Sequence, residues 1–305
     1  MNVAFLSGVE FGHDLLEHIL NSNFNISIVF SYDDNKKKIY SDYTSFDEIT
    51  KKFNIPHKKV FNINDEENIS ILKKIQPDIL LVMGWSQLLK QKIIEIPKIG
   101  VIGSHPTELP KYRGRAPIPW TILKELKKSA LTFFWIDSGT DSGDILDQQF
   151  FNISDDDAFS LYKKITKLGK QMLENNLKKF DNNIFPRLTQ DKTQFIENWE
   201  KRTPEDGIID WSKSAHEILK LIRATTHPYP GAFTFFDGSK LKIWKAEKSN
   251  ENNFSPGKIT EITDKGVKIG TGNGMLILKI VSLNDDDDVS PIQLFSNDDI
   301  GKFLK

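Results

Sequence analysis

The chain contains no cysteine. Disulfides, thiolate nucleophiles, zinc ribbons and iron–sulfur ligation are thereby excluded together. Its six histidines (His13, His18, His57, His105, His216 and His227) are scattered, with no H-E-x-x-H pair, so no metal is expected. No apolar run approaches the length of a membrane span, and the start, Met1 to Leu6, lacks the charged and long apolar segments of a secretory signal. A cytoplasmic protein with no membrane partner is the expectation. Strong charge of either sign is also missing: 41 basic against 42 acidic residues leave a net charge of −1. Without a domain-wide basic field to grip a phosphate backbone, no nucleic-acid partner is expected.

At 305 residues the chain is long enough for two domains with sizeable cores. Short apolar runs alternate with helical spacing through the first half. Val3 to Ser7, Ile26 to Ser31, Val60 to Ile63, Ile79 to Met83 and Ile99 to Ile102 read as strands. Between them, Leu15-Leu16-Ile19-Leu20, Phe46-Ile49-Phe53 and Ile69 to Ile75 read as helices. The pattern predicts an α/β fold with a doubly wound, mainly parallel sheet. The first turn, Gly8-Val9-Glu10-Phe11-Gly12, is not G-x-G-x-x-G, which argues against a bound dinucleotide. From Phe233 onward short alternating strands, with turns at Asp237-Gly238, Asp264-Lys265-Gly266 and Asn273-Gly274, predict a small β-rich domain. Asp181 to Asn198 reads as a linker, and the domains are placed at 1–190 and 203–305. Asn284 to Asp288 reads as a solvated acidic loop.

The chemistry concentrates in two loops. Gly103-Ser104-His105-Pro106-Thr107-Glu108-Leu109-Pro110-Lys111-Tyr112-Arg113-Gly114-Arg115-Ala116-Pro117-Ile118-Pro119-Trp120 follows an apolar strand and carries a histidine off its carboxyl end. That is where open α/β sheets place their sites. Asp137-Ser138-Gly139-Thr140-Asp141-Ser142-Gly143-Asp144 leaves a later strand, Ser129 to Ile136, so a carboxylate there can meet the imidazole. It lacks the closing glutamate and flanking helices of a calcium loop. Ser154-Asp155-Asp156-Asp157 suits the positive end of a long helix, Ala158 to Phe180.

These two loops together resemble the formyltransferases that use N10-formyltetrahydrofolate, and the match extends over roughly residues 1–245. The stretch H-P-T-x-L-P-x-Y-R-G-R-A-P-I-P-W and the later D-S-G-x-D-S-G-D-I carry it, most closely toward the nucleotide-linked amino-sugar branch. The resemblance implies a Rossmann-like formyltransferase domain followed by an OB-like domain, and a homodimer. It implies formyl transfer from N10-formyltetrahydrofolate to the amine of a dTDP- or UDP-linked amino-deoxy sugar, as in O-antigen or lipopolysaccharide biosynthesis. Methionyl-tRNA formylation and a non-catalytic binder are the alternatives, the first disfavoured by the missing basic insertion.

By position, His105 carries over as general acid/base and Asp141 as its partner, fixing the tautomer by charge and hydrogen bonding. The folate falls to Gln87, Leu88, Leu89, Arg115, Asp137, Ser138, Gly139 and Thr140. The sugar nucleotide falls to Lys111, Arg113 and the turn with Gly8, Glu10 and Phe11, with Tyr229 standing between a substrate contact and a core residue. One element departs from the family pattern. The asparagine two residues before the histidine is Gly103 here, and on a strand Ser104 faces the other way and cannot replace it.

Overall fold

The computed structural model describes residues 1–251, 255–284 and 286–305. In chain order, β1 (Val3–Leu6), α1 (Glu10–Asn21), β2 (Ile26–Tyr32), α2 (Asp47–Lys52), β3 (His57–Val60), α3 (Glu66–Ile75), β4 (Ile79–Val82), α4 (Gln91–Ile94) and β5 (Gly100–His105) build the parallel half. Next come β6 (Tyr112–Gly114), α5 (Pro117–Leu123), β7 (Lys128–Trp135), β8 (Ile145–Asn152), α6 (Ala158–Asp181) and β9 (Glu197–Trp199). The main sheet has the order β3-β2-β1-β4-β5-β7-β8. Its strands are parallel from β3 to β5, while β7 runs against β5 and β8 against β7.

Period-two burial explains why these runs become doubly covered strands. Ala4, Leu6, Ile28, Phe30, Leu80 and Val82 share one face with Ile69 and Leu72 of α3 and Ile93 of α4. The alternate positions Phe5, Val29 and Leu81 are equally buried, as are Phe11, Leu15, Leu16 and Ile19 of α1. The third strand lies at His57–Val60, ahead of the expected Val60 to Ile63: these residues pair with Val29–Tyr32 of β2, and exposed Phe61 lies past the paired segment. Asp157 caps α6 as expected, its Oδ1 accepting from Ser160 N at 2.8 Å.

Residues 181–200 are not a plain connector. Leu188 and Ile145 exchange backbone hydrogen bonds, and β9 pairs with β6 in parallel. By internal contacts the chain divides into one unit of residues 1–117, 127–154 and 162–200, and a second of 118–126, 155–161 and 201–305.

In the second unit α7 (Ala215–Thr225) precedes β10 (Ala232–Phe236), β11 (Ser239–Lys248), β12 (Ile259–Thr263), β13 (Gly266–Gly270) and β14 (Met275–Leu283). These five strands form an antiparallel sheet of order β10-β11-β14-β13-β12. The hairpin from β10 to β11 turns through Asp237 (φ 46°) and Gly238 (φ 84°), the left-handed pair that a two-residue hairpin needs. The last residues link the two sheet edges. Ile259 N donates to Lys302 O at 2.9 Å on the β12 side, and Phe235 and Lys305 exchange hydrogen bonds of 2.9 and 3.0 Å on the β10 side. Leu304 reaches between them into the core with Ile218, Ile243 and Leu278. In the acidic stretch Asp288 meets His227 Nε2 at 2.9 Å, and Asp285 lies outside the described residues. Among the described residues no helix is long and apolar enough to cross a membrane.

Two outcomes follow from burial. Leu304→Ala opens a cavity under the closing segment and lowers unfolding free energy by about 2–5 kcal/mol in denaturant titration. Asp42 accepts from Tyr162 at 3.0 Å, and burial pushes its carboxyl above the ordinary aspartate range. The folded state therefore holds that proton more tightly than the unfolded chain does, so stability falls as pH rises from the unfolded value through the folded one. Asp42→Asn keeps the acceptor and removes the charge. Its thermal midpoint exceeds that of the native chain above the folded-state pKa of Asp42, and the gain shrinks as pH falls toward the ordinary aspartate range in calorimetry.

Candidate active site

His105 ends β5 and is 5% exposed. Its Nε2 lies 3.2 Å from Tyr112 O, which also accepts from the Thr107 hydroxyl. A carbonyl only accepts, so the ring hydrogen sits on Nε2 whenever that bond is made. The loop is anchored from below: Thr132 Oγ1 donates to Thr107 O at 2.7 Å, and Gln148 Nε2 donates to Leu109 O at 3.0 Å.

Asp141 arrives by a different route from the one its sequence position suggests. Since β7 runs against β5, its carboxyl end, Trp135, pairs with Ile102, whereas His105 pairs with Thr132. The acidic loop therefore starts beside the amino-terminal half of β5 and has to fold back. Asp137 Oδ1 tightens the fold, accepting from Gly139 N at 3.0 Å and Ser142 Oγ at 2.7 Å. Asp141 itself takes φ 50°, and its Oδ2 accepts from Gly114 N at 3.0 Å. The same oxygen lies 3.8 Å from His105 Nδ1. That is ion-pair range and longer than a hydrogen bond, a gap of the kind that closes when substrate binds.

Gly114 is needed where it stands. At φ 103°, a Cβ there would lie 2.3 Å from Trp199 O, the carbonyl that accepts from Arg115 N at 2.9 Å. Trp199 also stacks on Tyr112 with ring centroids 4.8 Å apart. The stretch read as a linker is thus the brace of the histidine loop. No signal in its polar, aperiodic sequence announces this.

The remaining expected residues divide. Gln87 is tied down: its Nε2 donates to Phe61 O at 2.7 Å, and its Oε1 accepts from Ile63 N at 3.2 Å. Leu88 is 73% exposed, and Leu89 packs on the sheet core. Trp85 in the same turn stacks on Tyr32 at 3.8 Å, and the Tyr32 hydroxyl accepts from Ser86 N at 2.8 Å. Ser138, Gly139, Thr140 and Arg115 are exposed. Lys111 pairs with Glu108 at 2.6 Å, and Arg113 Nη2 donates to Gln190 at 2.7 Å. In the first turn Glu10 N donates to Asp42 O at 2.9 Å and Phe11 N to the Tyr162 hydroxyl at 2.8 Å, while Gly8 O accepts from Thr44 N. Amides so engaged do not form an anion cradle. Tyr229 belongs to the second unit and is half-buried there.

A second constellation was not foreseen. Ser31 Oγ lies 2.8 Å from His57 Nε2, and Asp47 Oδ1 lies 3.4 Å from His57 Nδ1. The connectivity is that of a nucleophile triad. Ser31, however, is 1% exposed within β2, and burial pushes the His57 imidazole below its ordinary value. A hydroxyl sealed in a strand meets no substrate, so the group is structural.

The direction a side chain would take from Gly103 is filled with carbon. A Cβ there would lie 3.0 Å from Ile136 Cδ1 and 3.1 Å from Phe134 Cζ. Gly103→Asn is therefore expected to lower stability by about 1–3 kcal/mol through overpacking. Combining it with Ile136→Ala recovers part of the loss, a non-additivity that a double-mutant cycle of melting curves reads directly.

Comparison with known proteins gives this geometry its context. Residues 1–177 match the formyl transferase family and residues 201–298 the formyl transferase C-terminal domain. A methionyl-tRNA formyltransferase of Clostridium novyi is 34% identical over 288 residues, covering 92% of this chain and 91% of that protein. One from Acetivibrio thermocellus is 31% identical over 292 residues, covering 93% and 92%. An N-formyltransferase from Helicobacter canadensis, solved with folinic acid and dTDP-3-aminofucose, superposes with a TM-score of 0.64 at 22% identity, covering 90% of this chain and 98% of that one. At that identity it shares the fold alone. The expected amino-sugar nucleotide substrate, and with it the exclusion of a nucleic-acid partner, is overturned by the full-length relatives, which are tRNA enzymes. Two sequence arguments misled. The R-G-R-A-P-I-P-W stretch is eight residues against a similarity that spans the chain, and a net charge of −1 sums the whole surface while a partner meets one patch of it. The chain belongs to the formyl transferase family, as an enzyme whose formyl donor is N10-formyltetrahydrofolate.

Proposed function

We propose that this enzyme transfers the formyl group to the α-amine of methionyl-tRNA. The observation that carries the proposal is the similarity to methionyl-tRNA formyltransferases across more than nine-tenths of both chains. The chemistry of the strand-end residues fits such a donor. An imidazole and a carboxylate face each other, with the exposed Ser138–Thr140 segment beside them. Asp137 to Thr140 and the Gln87 to Leu89 turn are the residues assigned to hold the folate. When bound, the folate supplies an activated formyl carbon on nitrogen.

His105 accepts the amine proton as the new nitrogen–carbon bond forms and returns one to the departing folate nitrogen. With Nε2–H bonded to Tyr112 O, the basic nitrogen is Nδ1, and Asp141 on that side balances the charge it gains. Burial of His105 keeps competing water from the ring.

Formyl transfer from N10-formyltetrahydrofolate to methionyl-tRNA is expected with the native chain. His105→Ala loses about 10²–10⁴-fold in kcat while a cooperative melting transition is retained. Absence of formyl-methionyl-tRNA at any enzyme concentration would sink the proposal.

A further inference from the structure

The turn that carries Asp141 is held from outside by a side chain that has no part in the chemistry above. Gln190 is 4% exposed and lies in the stretch between α6 and β9. Its Nε2 donates to Asp141 O at 2.9 Å and to Gly143 O at 2.7 Å, while its Oε1 accepts from Arg113 Nη2 at 2.7 Å. The amide orientation is forced: two carbonyls only accept and a guanidinium only donates, so nitrogen faces the turn and oxygen faces the arginine.

The position of this amide is what matters. It bonds the main chain on both sides of Ser142, where the acidic loop folds back toward His105. The same loop holds Asp141 at φ 50°, a conformation disfavoured for a residue with a side chain. Through Arg113 it reaches the strand whose next residue, Gly114, donates to Asp141 Oδ2. One carboxamide thus ties the carboxylate-bearing turn to the segment that orients the carboxylate. We propose that Gln190 is a positioning residue for formyl transfer, keeping Asp141 Oδ2 turned to His105 by clamping the 141–143 turn to β6. The proposal rests on the assignment of His105 and Asp141 as the acid–base pair.

Two variants separate this role from simple packing. Gln190→Glu keeps the shape and the acceptor for Arg113 but has no hydrogens for the two carbonyls. Gln190→Leu keeps the bulk and neither function. Both are expected to lower kcat by up to about 100-fold, the scale of a small misplacement, with KM for donor and acceptor within about threefold. The His105 ring ¹⁵N resonances, identified by their loss in His105→Gln, shift in both variants, while circular dichroism and cooperative melting persist. Native kcat in Gln190→Glu, or His105 resonances unmoved in both variants, overturns the proposal. A fall in kcat that tracks only the unfolded fraction overturns it as well. If the native chain transfers no formyl group to methionyl-tRNA, the functional assignment fails, and the ring resonances alone then decide whether Gln190 positions Asp141.

Discussion

Because β7 runs against β5, the loop that carries Asp141 begins beside Ile102, and the His105–Asp141 pair exists only because that loop is folded back. The fold-back puts Asp141 at φ 50°, a left-handed conformation that costs most residues with a Cβ on the order of 1–2 kcal/mol and aspartate less. Against this stand hydrogen bonds to Asp141 O, Gly143 O and Asp141 Oδ2, each contributing about 0.5–1.5 kcal/mol net. The larger effect is the penalty for leaving such groups unmade. A buried carbonyl without a donor costs about 1–3 kcal/mol, so a straightened loop would lose on both counts. The arrangement is held by satisfaction of polar groups rather than by apolar contact.

The same distinction separates the two ends of the parallel sheet where a ligand could be expected. At the switch point between β1 and β4, the first turn uses its amides on Asp42 and Tyr162, and its neighbour Trp85 stacks on Tyr32. Those particular groups are engaged within the protein. At the end of β5 the imidazole and carboxylate are held at 3.8 Å, with exposed loop residues next to them.

What could be read from the residues depended on how each element is stabilised. Strands covered on both faces announce themselves as apolar runs, so Val3–Leu6, Ile79–Val82 and the strand leading to His105 were legible. Hairpins were legible from Asp237-Gly238, whose left-handed pair has few alternatives. The segment 186–199 was not. It works through a buried amide, one indole and backbone pairing to β6, none of which leaves a period in the sequence. The acceptor was misjudged for a related reason. Formal charge counts residues, but Lys58, Lys59, Lys92 and Lys98 are paired with carboxylates whereas a partner meets only what a local patch presents.

Gly103 shows how far family membership carries. An imidazole and a carboxylate lie 3.8 Å apart, and the fold around them is that of the relatives. Yet the family's amide-bearing side chain is missing, and its direction is filled by Ile136 and Phe134. A donor to the developing negative oxygen is commonly worth about 2.7–4 kcal/mol of barrier. Proton transfer through an oriented imidazole is worth about 10²–10⁴-fold, which is of similar size. On the proposed function the two contributions separate in this chain: His105 and Asp141 would supply the proton transfer, and position 103 has no side chain to supply the donor. Restoring an asparagine there requires Ile136 and Phe134 to give way, since a Cβ at residue 103 already meets them at 3.0 and 3.1 Å.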